Sequence, residues 1–303
     1  MSDLCIYKNS EPPLRDLRDL MTYPFVAIQK GRTTPIEFKT KGISIKVTGC
    51  PDIGIATIWD FDFFIAACSF LNDADQSQPL TNLISFRPTA VLECMGKKRT
   101  SDSKGQRYGG GHYQRLGASI RRLASTQVHI NEEYSNASGL QTAFTFISWY
   151  RIPTSQGRPS PNAMWSVEIP KFVPEIVGGK KAILAVHPGY FTLKSSLAKG
   201  LYRIARKSVP EASGFFQWRI DTLKARLGAT SSLPEFMRRL REIAKSDSLP
   251  EYSIRLLEKE PHPSLIFEVN RSKAPRPKRG TYHPSRSQVL ASLTYAGTGT
   301  DDE

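Results

Sequence analysis

The stretch LPEFMRRLREIAK, residues 233–245, has the pattern of an amphipathic helix with arginines on its outer side. Its apolar residues recur at helical spacing and predict a buried face of Leu233, Phe236, Met237, Leu240, Ile243 and Ala244. The other side carries Arg238, Arg239, Arg241 and Lys245. Long donors on a rigid helix are what recognition of guanine edges or phosphates in the DNA major groove requires.

The start of this helix is marked by three signals. Ser232 and Glu235 have the spacing of a capping box, and Pro234 suits the first turn. Ser231 and Ser232 are further candidate DNA contacts. Glu242, also on the outer face, can accept from cytosine N4, or it can pair with Arg238 one turn away and leave DNA untouched.

A second stretch, YQRLGASIRRLA at residues 113–124, has the same design. Its apolar stripe consists of Tyr113, Leu116, Ile120 and Leu123. Its outer side carries the candidate DNA contacts Gln114, Arg115, Arg121 and Arg122, of which Gln114 suits adenine. A basic stripe alone is more often a solvated face than a recognition surface, so the sequence context of the two helices decides the matter.

That context is the same for both helices. Short helical patterns precede them, at 89–95 and 222–227, and pairs of strand-like segments follow them, at 126–130 with 141–150 and at 252–257 with 264–269. This order favours an α+β fold with two tandem winged-helix domains. The predicted division is an N-terminal arm (1–42), two domains (43–179 and 180–270) and a flexible basic tail (271–303).

The basic, glycine-rich segment GKKRTSDSKGQRYGGG, residues 96–111, precedes the first arginine helix and is predicted to be a loop. It lacks the GK[ST] ending of a P-loop, which argues against nucleotide binding. Its candidate contacts to the DNA backbone are Lys97, Lys98, Arg99 and Arg107. That these side chains only solvate the loop is an equally open interpretation.

The composition favours a polyanionic partner. The 303 residues carry a formal net charge of +14, and the pI is about 9.7, which makes nucleic acid the leading partner. An anionic membrane surface is the competing partner, but no apolar run is long enough to span a bilayer. The segment 57–71 is the most apolar, and its Asp60 and Asp62 favour a buried helix. No signal peptide is evident, so a cytoplasmic protein is expected.

Signals for catalysis or metal binding are weak. The four cysteines are far apart, which disfavours a zinc site or a disulfide framework, and the five histidines are dispersed. Asp60 and Asp62 have no companion carboxylates for two-metal chemistry, and helix N-terminal stabilisation explains Asp60 better. We therefore expect no enzymatic activity, cofactor or metal; a nicking initiator or primase is the enzyme alternative.

Five segments, in order along the chain, resemble the replication initiator protein A family of bacterial plasmids. They are TYPFVAIQKGRTTPIEF (22–38), GIATIWDFD (54–62), YQRLGASIRRLAST (113–126), LYRIARK (201–207) and LPEYSI (249–254). The resemblance covers residues 20–257 and implies two tandem winged-helix domains. It also implies that Arg238, Arg239 and Arg241 contact the major groove, while the N-terminal domain adds DNA contacts and a dimer surface.

The same resemblance implies a function at a plasmid origin. Such initiators bind repeated double-stranded sites (iterons), promote opening of adjacent A·T-rich DNA and recruit the host helicase and its loader. As dimers they commonly repress their own gene. A winged-helix transcriptional repressor without an initiator role would give the same residue pattern, so the sequence leaves this alternative open.

Overall fold

A computed structural model describes residues 5–6, 14–73, 81–102, 105–133, 139–178, 183–210, 213–258 and 262–273. Within these ranges the helices are α1 (Phe61–Asp73), α2 (Pro88–Cys94), α3 (Gly110–Ser125), α4 (Phe172–Gly178), α5 (Ser196–Ser208), α6 (Ile220–Arg226) and α7 (Leu233–Ser246). The predicted tail lies outside the described residues apart from 271–273, which form a turn.

The strands of the described chain form several small sheets. In chain order they are β1 (Cys5–Ile6), β2 (Arg15–Leu17), β3 (Ile36–Thr40), β4 (Ile43–Thr48), β5 (Leu83–Phe86), β6 (Thr100–Asp102), β7 (Gly105–Arg107), β8 (Gln127–Glu133), β9 (Gly139–Thr145), β10 (Trp149–Arg151), β11 (Thr154–Ser155), β12 (Arg158–Pro159), β13 (Trp165–Glu168), β14 (Ile183–Ala185), β15 (Phe215–Arg219), β16 (Tyr252–Leu257) and β17 (Ser264–Val269). The fold is therefore mixed helix and strand, as the α+β prediction states.

Three sheets organise the two halves of the chain. The N-terminal half contains an antiparallel sheet in the order β3-β4-β8-β9 and a mixed sheet in the order β1-β5-β13-β10. The C-terminal half contains an antiparallel sheet in the order β15-β17-β16. The hairpins predicted after each arginine helix are thus confirmed, and β16 and β17 end at the predicted residues.

Helix α1 is the centre of the N-terminal half, and every residue from Phe61 to Leu71 is buried. Its apolar character on all sides predicts this burial. The helix begins at Phe61, four residues later than predicted, because residues 57–60 form a turn of their own. In that turn the Thr57 amide and hydroxyl each donate to Asp60 Oδ2 at 2.8 Å.

The prediction that residues 1–42 form an arm outside the core is wrong for the described part. Strand β2 pairs with β14, and β3 pairs with β4. Leu17, Phe25 and Ile36 are buried in the main hydrophobic core. The prolines of this segment break regular hydrogen bonding, as the sequence indicates, but they leave the intervening apolar side chains free to pack.

Helix α5 joins the two halves of the chain through two buried ion pairs. Lys199 Nζ lies 2.7 and 2.8 Å from the Asp62 carboxylate of α1, and both side chains are at most 1% exposed. Arg203 Nε lies 2.8 Å from Asp16 of β2. These contacts cross the predicted boundary at residues 178–180. Where the chain divides into domains stays a prediction, but its two halves share a buried polar interface.

Breaking the Lys199–Asp62 pair should destabilise the protein strongly. Asp62→Asn keeps the side-chain volume but leaves a buried ammonium without its counter-charge, so we expect the unfolding free energy to fall by about 3–5 kcal/mol. Denaturant unfolding followed by circular dichroism measures this change.

The control is Glu37→Gln, which removes an exposed ion pair to Lys46 at 3.5 Å. This change should cost about 0–1 kcal/mol. The double variant Asp62→Leu with Lys199→Met removes both charges and should unfold closer to wild type than Asp62→Asn does. Equal stability of Asp62→Asn and Glu37→Gln would contradict the role assigned to the buried pair.

Candidate nucleic-acid interface

Helix α7 is formed as its sequence signals predict. The Ser232 hydroxyl accepts from the Glu235 amide at 3.4 Å, Pro234 lies in the first turn, and the helix ends at Asp247 in the left-handed region (φ 43°). Phe236, Leu240 and other apolar residues of the predicted face are buried. Leu233, the first residue of the helix, is 51% exposed, and Ala244 is half-buried.

The outer face of α7 carries an arginine–glutamate network of Arg238, Arg239 and Arg241 with Glu235, Glu242 and Glu258. Arg238 donates to Glu235 at 2.7 and 2.8 Å and also pairs with Glu242. Arg239 Nε donates to Glu235 at 2.7 Å. The three arginine side chains are 51–54% exposed, so they are accessible, but their guanidinium groups are already bound to carboxylates.

Arg241 connects α7 to the hairpin that follows it. Its Nε and Nη2 donate to the two carboxylate oxygens of Glu258 at 2.7 and 2.9 Å, and Glu258 comes directly after β16. The hydrogen bonds from Arg238 and Arg239 lower the pKa of Glu235 to about 2. A hydrogen bond from Arg241 likewise lowers the pKa of Glu258. Glu235 and Glu258 are therefore ionised at neutral pH.

Two members of the predicted set flank this network. Lys245 is exposed near the end of α7 and has no ion pair with the described part of the chain, so its charge is available to a ligand. Ser231 is half-buried and Ser232 is exposed, although the Ser232 hydroxyl is used as the helix cap. Of the alternatives open for Glu242, the structure shows the ion pair with Arg238.

The turn between α6 and α7 is held by the N-terminal segment. Arg32 Nη1 donates to the carbonyl of Gly228 at 2.8 Å, and Gln29 Nε2 donates to Thr230 Oγ1 at 3.0 Å. Gly228 has φ +59°, and a Cβ there would lie 3.1 Å from Pro24. Residues 24–32 therefore help to fix the position from which α7 projects.

Helix α3 presents a basic face of its own. Gln114, Arg115 and Arg121 are exposed, whereas Tyr113, Leu116, Ile120 and Leu123 are buried, as predicted. Within the described residues, no hydrogen bond or ion pair engages the Arg115 or Arg121 guanidinium groups. These two cations can therefore meet an anionic ligand without first giving up a carboxylate.

Arg122 differs from the other candidates of α3. Its Nε and Nη2 donate to Asp60 at 2.8 and 2.6 Å, and Ser119 donates to the same carboxylate at 2.7 Å. The Arg122 side chain is only 30% exposed, and Asp60 is buried. Arg122 thus joins α3 to the start of α1. A DNA contact by Arg122 stays a prediction.

The segment 96–111, predicted to be a loop, contains the antiparallel strand pair β6–β7. Lys98 is exposed and Lys97 is half-buried. Arg99 pairs with Glu93 and lies over the Tyr108 ring, 5.5 Å from its centroid. Arg107 lies in β7 opposite Thr100. Local sequence gave no strand signal here, since glycine and polar residues dominate the segment.

Glu258 belongs to this surface although no local sequence pattern indicates it. It lies 17 residues from Arg241, and only the packing of the hairpin beside α7 brings the two together. Among the described residues, no hydrogen bond or ion pair connects the α3 candidates with those of α7. The predicted residues therefore form two separate polar sets, one on α3 and one on α7. In the α7 set the charges of the arginines are neutralised by glutamates.

Two further properties of the described residues bear on other classes of function. No cluster of three or more histidine, cysteine, aspartate or glutamate side chains is arranged to hold a metal ion there. Nor does any helix in that part of the chain have the length and apolar character needed to cross a membrane.

Comparisons with solved structures agree with the mixed fold. A crystal structure of domains 2 and 3 of RctB superposes with a TM-score of 0.58 at 14% identity, covering 80% of this chain and 94% of that one. A second structure, of RctB domains 2–3, gives a TM-score of 0.55 at 14% identity and covers 82% of this chain and 95% of that one. At this identity the likeness concerns the fold alone.

Sequence comparison identifies the family. A protein of Wigglesworthia glossinidia brevipalpis named "Putative replication protein" is 26% identical over 238 residues, covering 78% of this chain and 82% of that protein. The family model described as replication initiator protein A matches residues 15–254, most of the chain. The two arginine helices, the N-terminal segment that holds α7 and the α5 interface all lie within that match, and the chain belongs to the replication initiator protein A family.

Proposed function

We propose that this chain is a plasmid replication initiator that binds repeated double-stranded sites in an origin and has no enzymatic activity of its own. The family supports a role in replication initiation. The observation that carries the DNA-binding part is α7: a capped, rigid helix with three arginines and a lysine on its accessible face. Major-groove contacts need such a helix.

The order of elements in the C-terminal half supports the proposal of a winged-helix domain there. Helix α5 and strand β15 precede α6 and α7, and the antiparallel pair β16–β17 follows them. In this proposal α7 is the recognition helix, α6 crosses the DNA backbone, and the β16–β17 hairpin is the wing. Arg238, Arg239, Arg241 and Lys245 face the groove, with Ser231 and Ser232 beside it.

The N-terminal half forms the second winged-helix domain in this proposal. Helices α2 and α3 are followed by the β8–β9 hairpin, but the β6–β7 pair separates the two helices. This spacing departs from a tight helix-turn-helix. We therefore assign Gln114, Arg115 and Arg121 with Lys97, Lys98, Arg99 and Arg107 mainly to backbone contacts.

Further steps of the proposal rest on the family. In the cytoplasm the protein opens A·T-rich DNA beside its sites and recruits host helicase proteins. A homodimer represses its own gene, and the N-terminal domain carries the dimer surface. The reaction chemistry of replication belongs to the recruited enzymes, so this chain needs no cofactor or metal.

Removing a recognition arginine should weaken specific binding more than non-specific binding. Duplexes enriched from a randomised pool by the wild-type chain provide the specific probe, and a random 30-bp duplex provides the other. Arg239→Ala and Arg241→Ala should each lose about 10- to 100-fold affinity for the enriched duplex, the range expected for one bidentate base contact. On the random duplex the loss should stay within about threefold, as for one phosphate contact among many.

Lys46→Ala is the matched control, because Lys46 also pairs with a glutamate, Glu37, and lies on β4, which this proposal does not place against DNA. It should bind both duplexes within about twofold of wild type, as expected for a change away from the groove. Affinities are measured by fluorescence anisotropy at fixed salt. Wild-type binding of the enriched duplex by both Arg239→Ala and Arg241→Ala would refute the assignment of α7 as recognition helix.

The absence of nicking activity is a separate prediction. Supercoiled plasmid carrying the DNA that flanks the gene should remain supercoiled after incubation with the protein and Mg²⁺ or Mn²⁺, as judged on agarose gels. A relaxed product that depends on the protein would identify a nicking enzyme and overturn the proposed mode of action.

Initiation itself is tested by supplying the gene in trans to a plasmid that carries only the origin. We expect the wild-type gene to maintain this plasmid and the Arg241→Ala gene to fail, because origin binding precedes every later step. Repression of the gene's own promoter without plasmid maintenance would instead identify a transcriptional repressor.

A further inference from the structure

In the arginine–glutamate network the arginines are paired with carboxylates, and a helix that only had to bind DNA tightly would not need this pairing. Each of its three arginines is bound to at least one of its three carboxylates, so the network is close to electrically neutral. Non-specific DNA binding depends on free cations that replace the counterions of phosphates. A helix whose arginines are already paired attracts phosphates weakly, even in a chain of net charge +14.

Glu258 is the most informative carboxylate of the network. It comes from the end of β16, not from α7, and it binds Arg241 through both of its oxygens. The pairing uses Nε and Nη2, one of the guanidinium edges that can donate two parallel hydrogen bonds to phosphate or to guanine. While Glu258 holds this edge, DNA can take it only by displacing the carboxylate.

We propose that Glu258, assisted by Glu235, is a specificity-determining residue that competes with DNA phosphates for the arginines of α7. This inference rests on the proposed DNA-binding function. A random duplex offers Arg241 only a phosphate in exchange for Glu258, and it places the displaced carboxylate beside other phosphates. A specific site offers base edges and a fitted groove as well, so there the exchange is favourable. The carboxylates lower the affinity for random DNA more than that for the specific site.

The charge state of the network supports this role under ordinary conditions. Hydrogen bonds from Arg238 and Arg239 lower the pKa of Glu235 to about 2, and the hydrogen bond from Arg241 lowers that of Glu258. A depressed carboxyl pKa means that the ion pairs persist throughout neutral pH and weaken only as the solution becomes strongly acidic. Displacement by DNA, not protonation, is therefore what releases the arginines.

The test compares two variants that change net charge equally. Glu258→Gln releases Arg241 of α7, whereas Glu37→Gln releases Lys46, whose exposed 3.5 Å pair lies between β3 and β4. The probes are a random 30-bp duplex and the duplex enriched by the wild-type chain. Glu258→Gln should raise affinity for the random duplex about tenfold, and Glu37→Gln no more than about twofold, because only the former frees a groove-facing cation.

Affinity for the enriched duplex should rise less than about threefold in Glu258→Gln, so the ratio of specific to non-specific affinity falls. Glu235→Gln, which releases Arg239 and leaves Arg238 paired with Glu242, should change the ratio in the same direction. Thermal unfolding of each variant shows whether the fold is retained. A merely structural role for Glu258 would lower the affinity for both duplexes together and leave their ratio unchanged.

The outcomes separate this inference from the proposed function. If the wild-type chain enriches a sequence but Glu258→Gln and Glu37→Gln bind random DNA alike, the specificity role fails and the initiator function stands. If no sequence is enriched from the pool, sequence-specific binding itself fails, and the specificity role fails with it.

Discussion

The burial of two cations on α5 is the constraint on which the rest of the structure depends. Lys199 and Arg203 are inside the core, where an unpaired charge is strongly unfavourable. Their carboxylates come from Asp62 and Asp16, which lie 137 and 187 residues earlier in the chain. The Lys199 ammonium also lies 4.0 Å from the centroid of the Tyr190 ring. The halves of the chain cannot separate at α5 without exposing these charges or leaving them unpaired. The N-terminal segment, α1 and α5 therefore form one packed unit.

This coupling extends to the helix proposed to contact DNA. The same N-terminal segment that supplies Asp16 continues through Gln29 and Arg32 to the turn before α7. Arg32 also donates to the carbonyls of Thr34 and Pro35. Its guanidinium therefore links residues 34–35 of the N-terminal segment to Gly228. The direction of α7 is thus set by residues about 200 positions away, as well as by its own cap and by the sheet beneath it. Recognition of base edges requires the side chains of the helix to be placed within a fraction of an ångström. A helix held only by its own hairpin would be placed less accurately.

Local physics explains which parts of this architecture could be predicted from the sequence. Helix α7 and strands β16 and β17 follow from caps, helical periodicity and alternation, all of which act within a few residues. The N-terminal segment could not be predicted in the same way, because its prolines remove regular periodicity while its apolar side chains find partners far away in sequence. Arg122 shows the same limit within the candidate site. Its position on α3 is that of an outward-facing cation, and only the packing of α3 against α1 reveals its bond to Asp60.

The pairing of charges divides the proposed interface into two kinds of surface. On α3, Arg115 and Arg121 are exposed and, within the described chain, not bound to carboxylates, so they attract any polyanion. On α7, Arg238, Arg239 and Arg241 are equally exposed but bound to carboxylates, so binding there requires an exchange of partners. Attraction without sequence preference brings a protein to DNA, whereas exchange at base edges discriminates between sites. In the proposed function, the free cations of α3 therefore supply the attraction without sequence preference, and the network on α7 supplies the discrimination between sites.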